Sequence, residues 1–341
     1  MSSFSAWAAA RGATLSGERA LDFGDPAGEA RALREGVGLW WRADWEPLWL
    51  RGGDRLPFLH KYCTQDVATL APGSSTYGCC LTVKGTLVGD FSLHVLDDAA
   101  LLLVAPGAGD ALLAHLGKFA VFDDVSLERA EDVEVLSLLG PQAEGLVNRA
   151  LGVALEPGKN AAARLGETEL RVAREEPAGV RCYDLLVPRG ACVAVADALA
   201  AEAPPVGRLA IDALRVARGW PLFGVDMGEK TIPNEAGLKE RAVSFSKGCY
   251  LGQEVVVRIE HRGHVNRMLV ALRPESAPGA APLPVFVGAK EVGQLTTLAE
   301  LPDGPAGLGI LHRKAWGEDG AEVHVGAPDG PRAQISALPL A

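Results

Sequence analysis

The sequence predicts an α+β protein that finishes in an all-β tail with the character of a small β-barrel. Three observations carry this. Period-2 apolar runs such as Leu87–Leu96 alternate with helical stretches such as Leu209–Arg218 along most of the chain. The run RPESAPGAAPLP over 273–284 has the composition of a surface loop or linker. Beyond it come short strands punctuated by glycine. The chain has 341 residues, 48% of them hydrophobic, with 33 Lys+Arg against 43 Asp+Glu and a net charge of −10. At ~150 residues per domain this allows two or three domains, and the hydrophobic content excludes a disordered chain. No apolar run reaches the ~20 residues of a membrane helix. The opening MSSFSAWAAARG has no basic residue before its apolar patch, so no secretory signal is expected. The acidic balance argues against a nucleic-acid coat. The expected setting is the cytoplasm, with no membrane and no stable nucleic-acid partner.

Each element follows from a local signal. Residues 4–11 and Ala27–Glu35 read as short helices. Pro47–Arg51 is the first clear strand, closed by Gly52-Gly53; Asp54 then has the place of an N-cap, with Pro57 in the first turn. Thr76–Leu81 and Leu87–Leu96 read as neighbouring strands around Lys84-Gly85. In the second, Phe91, Leu93 and Val95 alternate with Ser92, His94 and Leu96, as in a sheet with one drier face. Leu101–Ala105 extends that sheet, Asp110–Leu116 is a helix, and Val133–Leu139 a strand ending at Gly140-Pro141. Glu156–Ala163 and Glu202–Gly207 read as loops, flanking strands Leu170–Ala173 and Tyr183–Val187 and a helix over 191–201. Helix Leu209–Arg218 stops at Gly219 and Pro221, and Val255–Ile259 reads as a Val-rich strand before a turn at Arg262-Gly263.

The segment with most chemistry is Lys247-Gly248-Cys249-Tyr250-Leu251-Gly252-Gln253-Glu254. Its glycines free the backbone for close approach or positive φ. Lys247 beside Cys249 can favour a thiolate if the side chains converge. A glycine-rich turn with Cys249 as a small buried hydrophobe is the plain alternative. The other cysteines, at 63, 79, 80, 182 and 192, show no C-x-x-C spacing, so no self-contained metal or cluster site is expected. Phosphate-binding, dinucleotide, zinc-protease and serine-hydrolase signatures are absent. Glu260-His261-Arg262-Gly263-His264 lacks a third nearby ligand and reads as a polar hairpin tip. Arg258, Arg262, Arg267 and Arg273 against Glu260 form a cationic stretch, which either receives a carboxylate or phosphate or is a solvated rim. Asp90 closes KGTLVGD, as a ligand acceptor or an ordinary turn residue. Asp184, inside YDLLV, either faces water or has a donor to satisfy it.

KGCYLGQE resembles the signature K-G-C-Y-x-G-Q-E of the YgfZ-type folate-binding proteins, relatives of the mitochondrial factor that matures 4Fe–4S enzymes. These share a superfamily with the aminomethyltransferase (GcvT) of the glycine cleavage system. WLRGGDRLPFLHKYCTQDVATLAPG, VKGTLVGDFSLHVL and ALRVARGWPLFGVDMGEKTIPNEAGL resemble further blocks of that superfamily, in the same order. The resemblance implies a three-lobed, GcvT-like cloverleaf around a central cavity. Residues 1–245 would form two α+β folate-binding lobes, and 246–341 the motif segment and C-terminal β-barrel. It implies tetrahydrofolate or a derivative as cofactor. Asp184 stands at the strand acid that takes the pterin, and Asp90 where the transferases carry an acidic pair. Gly248, Tyr250, Gly252, Gln253, Glu254 and Arg258 complete the implied folate contacts. One acid in place of two, and Ile211-Asp212 where an Arg-Asp pair is typical, depart from the transferase pattern. The resemblance therefore implies an accessory protein for iron–sulfur cluster assembly or repair, with an indirect effect on tRNA modification and with assembly proteins or client enzymes as partners. Cys249 would be its functional thiol, supported by Lys247. The alternative is an aminomethyltransferase.

Overall fold

The computed structural model describes residues 2–263, 265–315 and 322–340. The chain divides into two compact units. Met1–Leu59, Val67–Tyr77 and Phe91–Leu214 form the first; His60–Asp66, Gly78–Asp90 and Arg215–Ala341 form the second.

The first unit is organised by a five-stranded sheet in the order Lys159–Leu165, Thr168–Glu175, Cys182–Pro188, Val133–Leu139, Gly38–Trp41, antiparallel throughout. Successive residues of a strand face opposite ways. Tyr183, Leu185 and Val187 therefore turn one way, with Leu136 and Leu138, into a core shared with Leu146 and Val147 of helix Ala143–Leu151 and Val195 and Leu199 of helix Cys192–Ala200. Leu186 and Val135 turn the other way and pack with Trp49, Leu101 and Leu103. These last belong to a second sheet, ordered Ser75–Leu81, Leu87–Val95, Ala99–Val104, Glu46–Arg51, Ser126–Arg129. Strands covered on both faces explain the nearly unbroken apolar runs at 99–105 and 182–187. The N-terminal helix Ser3–Ala9 adds Phe4 and Trp7, whose rings lie 5.3 and 5.4 Å from that of Trp41.

Two expectations need correcting in this unit. The segment 156–163, read as a loop, contains most of the edge strand Lys159–Leu165, whose alanines pair in register with Leu170–Val172. Ser92 and His94 were expected on the wetter face of their strand, yet both are buried there. The reason is the sheet that covers that face.

In the second unit, six strands close into a barrel in the order Arg267–Pro274, Gly304–His312, Lys290–Leu301, Leu283–Val287, Glu322–Val325, Arg332–Ser336, filled by Val270, Leu272, Leu295, Leu311, Val323 and Val325. The expected α+β fold with a C-terminal β-barrel is observed. The Val-rich segment expected as a strand is instead helix Gln253–Arg262. Gly252 and Gly263, both left-handed, bracket it, and the Gly263 N–H bonds back to Ile259 O. An Arg258–Glu254 pair one turn apart and a Lys239–Glu260 pair at 2.8 Å hold its surface. End signals and packing of Val256 outweigh the strand preference of three consecutive valines. His264 lies outside the described residues, so the expected two-histidine turn is described only up to Gly263.

Asp226, fully buried, ties this unit together. Its Oδ2 accepts from the Arg215 guanidinium and from Leu222 N at 2.9 Å, while Oδ1 accepts Thr296 Oγ1 at 2.7 Å and Thr297 Oγ1 at 2.6 Å. Consecutive strand residues cannot normally reach the same atom. A register shift between Leu295 and Thr297 makes it possible here. Asp226→Ala removes the carboxylate from a guanidinium that is itself buried. It is expected to destabilise the protein by about 3–5 kcal/mol, read as a loss in denaturant midpoint. A change below ~1 kcal/mol contradicts this account.

Candidate functional site

Lys247 enters the second unit as a staple. Its side chain is buried, and Nζ donates to His60 O at 2.6 Å, Cys63 O at 2.9 Å and Gln65 O at 2.9 Å. These carbonyls end helix Arg55–Tyr62 and the turn after it, where helical acceptors lack partners of their own. An ammonium has three donors, and all three are taken. Burial pushes its pKa down, while Cys63 and Asp66 oppose that shift. Nζ also lies 5.0 Å from the Tyr250 ring centroid. The charge expected to favour a Cys249 thiolate is thus spent on backbone carbonyls.

Around this staple the signature folds back on the early segments. Leu251 N donates to Lys61 O at 3.1 Å, and Gln253 N to Tyr250 O at 3.2 Å. Gly252, at φ +83°, packs so closely that a Cβ would stand 2.5 Å from Thr82 O. Gly248 differs: a Cβ there would meet nothing within 4 Å. The Tyr250 ring is buried, its hydroxyl lacks a hydrogen-bond partner among the described residues, and burial pushes its pKa up to about 12. Cys249 is the exposed member of the six free cysteines. It opens onto a shallow groove of about 860 Å³, walled by Lys61, Tyr62, Val83, Gln253, Val257 and His261 among others. Glu254 and Arg258 line the groove too and pair with each other.

The remaining cysteines take the plain reading. Cys63, Cys79, Cys80, Cys182 and Cys192 are buried. Burial pushes Cys63 up to about 11, and Cys79, Cys80 and Cys182 well above the ordinary thiol value. Within the cationic stretch Arg267 pairs with Glu235 at 2.9 Å and Arg273 with Asp303 at 2.5 Å, while the side chain of Arg262 lies outside the described residues. Asp90 is buried in the second unit.

Asp184 belongs to the first unit, where the two sheets enclose a polar face. Register places Asp184 opposite Ser137 on one side and Ala173 on the other, and Cys182 opposite Glu175. Period-2 geometry then turns Ser137, Asp184, Cys182 and Glu175 to one side. Asp184 Oδ1 accepts from Ser137 Oγ at 2.5 Å and Cys182 Sγ at 3.5 Å, and meets Arg42 at 3.2 Å. Arg42 also donates to Ser137 Oγ at 2.7 Å and lies against the rings of Trp40 and Trp45. Across from them, Ser92 Oγ donates to Glu175 Oε2 at 2.7 Å, and His94 Nδ1 lies 3.0 Å from Ser75 Oγ. Burial pushes His94 down to about 4, so its ring is neutral, and pushes the Glu175 carboxyl up, with nearby Asp184 adding to the shift. Of the two readings of Asp184, the buried acid with a donor is the one observed, its donors all meeting Oδ1. Sequence reasoning missed Arg42, His94, Ser137 and Glu175. The available signal was the Ser92/His94 pair interrupting an apolar strand, but it needed the second sheet to give it a partner.

Comparison with known proteins shows the family and the fold. A model of the GCVT N-terminal domain matches residues 3–247. The chain belongs to the GCVT N-terminal domain family. An aminomethyltransferase of Stenotrophomonas maltophilia is 32% identical over 235 residues, 64% of this chain and 62% of that protein. The chain thus aligns to somewhat under two thirds of that relative's length. One from Bordetella bronchiseptica is 28% identical over 315 residues, 89% of this chain and 85% of that protein. A tRNA-modifying protein YgfZ of Colwellia psychrerythraea is 26% identical over 228 residues, 66% of this chain and 68% of that protein. The crystal structure of glycine cleavage system aminomethyltransferase T from Bartonella henselae superposes with a TM-score of 0.86 at 24% identity, covering 97% of this chain and 95% of that one. The fold of this GcvT family member is therefore GcvT-like, as the sequence implied. No helix among the described residues is long and apolar enough to cross a membrane.

Two measurements test the local account. A dithiobis-nitrobenzoate reagent at neutral pH should titrate one of the six thiols in the native protein, and Cys249→Ser should abolish that reaction; rapid reaction of two or more contradicts it. Gly252→Ala should cost about 2 kcal/mol or more, through positive φ and the Thr82 contact, whereas Gly248→Ala should change stability by less than ~1 kcal/mol. Equal costs would contradict the distinction.

Proposed function

We propose that the protein is a YgfZ-type member of its family: a tetrahydrofolate-binding accessory protein that supports iron–sulfur cluster assembly or repair, with an indirect effect on tRNA modification. The observation that carries this reading is the octapeptide KGCYLGQE, whose buried residues hold the loop while Cys249 stays exposed in an open groove. The relative from Colwellia psychrerythraea, a tRNA-modifying protein YgfZ, supports it at 26% identity. A lone thiolate supplies one ligand, so a transient cluster or sulfur atom at Cys249 would take its remaining ligands from a partner, an assembly protein or client enzyme. An exposed thiol is also open to oxidation, which suits a redox-sensitive role. The setting proposed is the cytoplasm.

A reduced folate would supply one-carbon or redox chemistry at its pterin ring. The proposed contacts are Asp90, Asp184, Gly248, Tyr250, Gly252, Gln253, Glu254 and Arg258, within a folate-binding region of residues 1–245 and the adjoining motif. Pterin N–H groups want a carboxylate acceptor. Asp184 retains one, because Oδ2 has no hydrogen-bond partner among the described residues. Arg258 is exposed and its pairing with Glu254 is a surface one, so exchange for a folate carboxylate costs little.

The aminomethyltransferase reading is favoured by identity: the Stenotrophomonas and Bordetella enzymes reach 32% and 28%, the latter over most of the chain. Against it stand the single acid Asp90 and Ile211-Asp212 without the arginine. Two assays separate these readings. The accessory reading expects reduced folate to bind, and a null strain to lose activity of cluster-dependent enzymes that the wild-type gene restores and the Cys249→Ala gene does not. Full complementation by Cys249→Ala removes the thiol role, and no folate affinity at ~1 mM removes the folate premise. Formation of methylene-tetrahydrofolate from an aminomethyl-lipoyl carrier protein would establish the transferase instead.

A further inference from the structure

The polar face inside the first unit holds more than one buried acid requires. His94, Glu175 and Asp184 each offer one ligand atom, and these atoms all lie within 4.8 Å of one another; His94 Nε2 and Glu175 Oε1 are 3.9 Å apart. Among the described residues, His94 Nε2, Glu175 Oε1 and Asp184 Oδ2 are all buried without a hydrogen-bond partner. Three such atoms in one enclosure are unusual, because each costs roughly 1–3 kcal/mol. The second atom of every one of these groups is occupied: His94 Nδ1 by Ser75 Oγ, Glu175 Oε2 by Ser92 Oγ, and Asp184 Oδ1 by Ser137, Cys182 and Arg42. Asn160 Nδ2 in turn donates to Ser75 Oγ at 3.0 Å.

The geometry points to a divalent transition-metal site formed by His94, Glu175 and Asp184. One imidazole nitrogen and two carboxylate oxygens form a donor set suited to Zn²⁺, Mn²⁺ or Fe²⁺. The hydrogen-bonded atoms supply the outer-shell support that orients metal ligands. With Nδ1–H donating to Ser75 Oγ, the Nε2 lone pair is left for the ion. Charge argues the same way. Among the described residues Arg42 is the cation paired with Asp184, and burial together with Asp184 disfavours a second negative charge on Glu175 unless a further cation joins them. A divalent ion supplies that charge and can serve all three orphan atoms together, whereas a shared proton joins only two. Metal–ligand bonds of ~2.1 Å in tetrahedral array separate donors by about 3.4 Å. The 3.9 Å between His94 and Glu175, and the 4.8 Å that bounds the whole set, close to this by side-chain movements of about 0.5–1.4 Å.

The inference stands apart from the folate reading, and competes with it only for one oxygen of Asp184. The test uses untagged full-length protein from cells grown with added Zn²⁺ or Mn²⁺. It is assayed for metal by mass spectrometry and then, after chelation, titrated with each ion alone against a chromophoric chelator. The expected result is one equivalent per chain. Affinity should fall by more than ~100-fold in His94→Gln and Glu175→Gln, and by roughly 10–100-fold in Ser92→Ala, which removes outer-shell support only. Neither His94 nor Glu175 is among the proposed folate contacts, so reduced-folate binding by these variants should persist. Wild-type protein that carries no metal and binds neither ion below ~10 µM overturns the site whatever the folate result. Binding that is unchanged in folded variants overturns it too. Loss of folate binding in the wild type, with metal retained, overturns the folate reading alone.

Discussion

An ionised carboxylate taken wholly out of water costs several kcal/mol unless charge and hydrogen bonds meet it inside. The first unit is arranged around that demand. Asp184 sits at the middle of a strand covered on both faces, and its surroundings follow from its needs. Arg42 supplies the counter-charge, Ser137 supplies a hydroxyl from the adjoining strand, and Trp40 and Trp45 cover the guanidinium. The two sheets bring Ser92 and His94 from one side against Glu175 and Asp184 from the other. A polar interior of this kind is committed to one register, because a one-residue slip would turn every member away from it.

The second unit solves the complementary problem with a cation. Lys247 buries an ammonium and answers it with three carbonyls from the end of one helix and its turn. The signature octapeptide is thereby divided in labour. Lys247, Tyr250 and Gly252 hold the loop against the early segments, while Cys249, Gln253 and Glu254 line the groove. The barrel is anchored by the same logic at Asp226, where a bulge lets two successive threonines serve one carboxylate.

Much of the fold was legible in sequence. Leu87–Leu96 matches strand Leu87–Val95 within a residue because alternation is a local signal, and Ala27–Glu35 matches Pro26–Glu35 because Asp25 accepts from Gly28 N and Pro26 opens the turn. The helix at Gln253–Arg262 was misread because three valines dominate any local preference, whereas its ends depend on the left-handed glycines 252 and 263. The edge strand Lys159–Leu165 was missed because alanine, lysine and asparagine acquire strand character only from the partner they pair with.

For the candidate sites the division is sharper. Reading along the chain is enough to mark residues 247–254 as an unusual segment, to set Cys249 apart from the other cysteines, and to see that Asp184 interrupts an apolar strand. All three are statements about neighbours along the chain. What those residues meet depends on the packing of distant segments. That packing makes Lys247 a backbone staple, leaves Cys249 in the open, and converges His94, Glu175 and Asp184 from three strands. Charge burial is set by residues far apart in sequence, and no local pattern records which of them will share a buried enclosure.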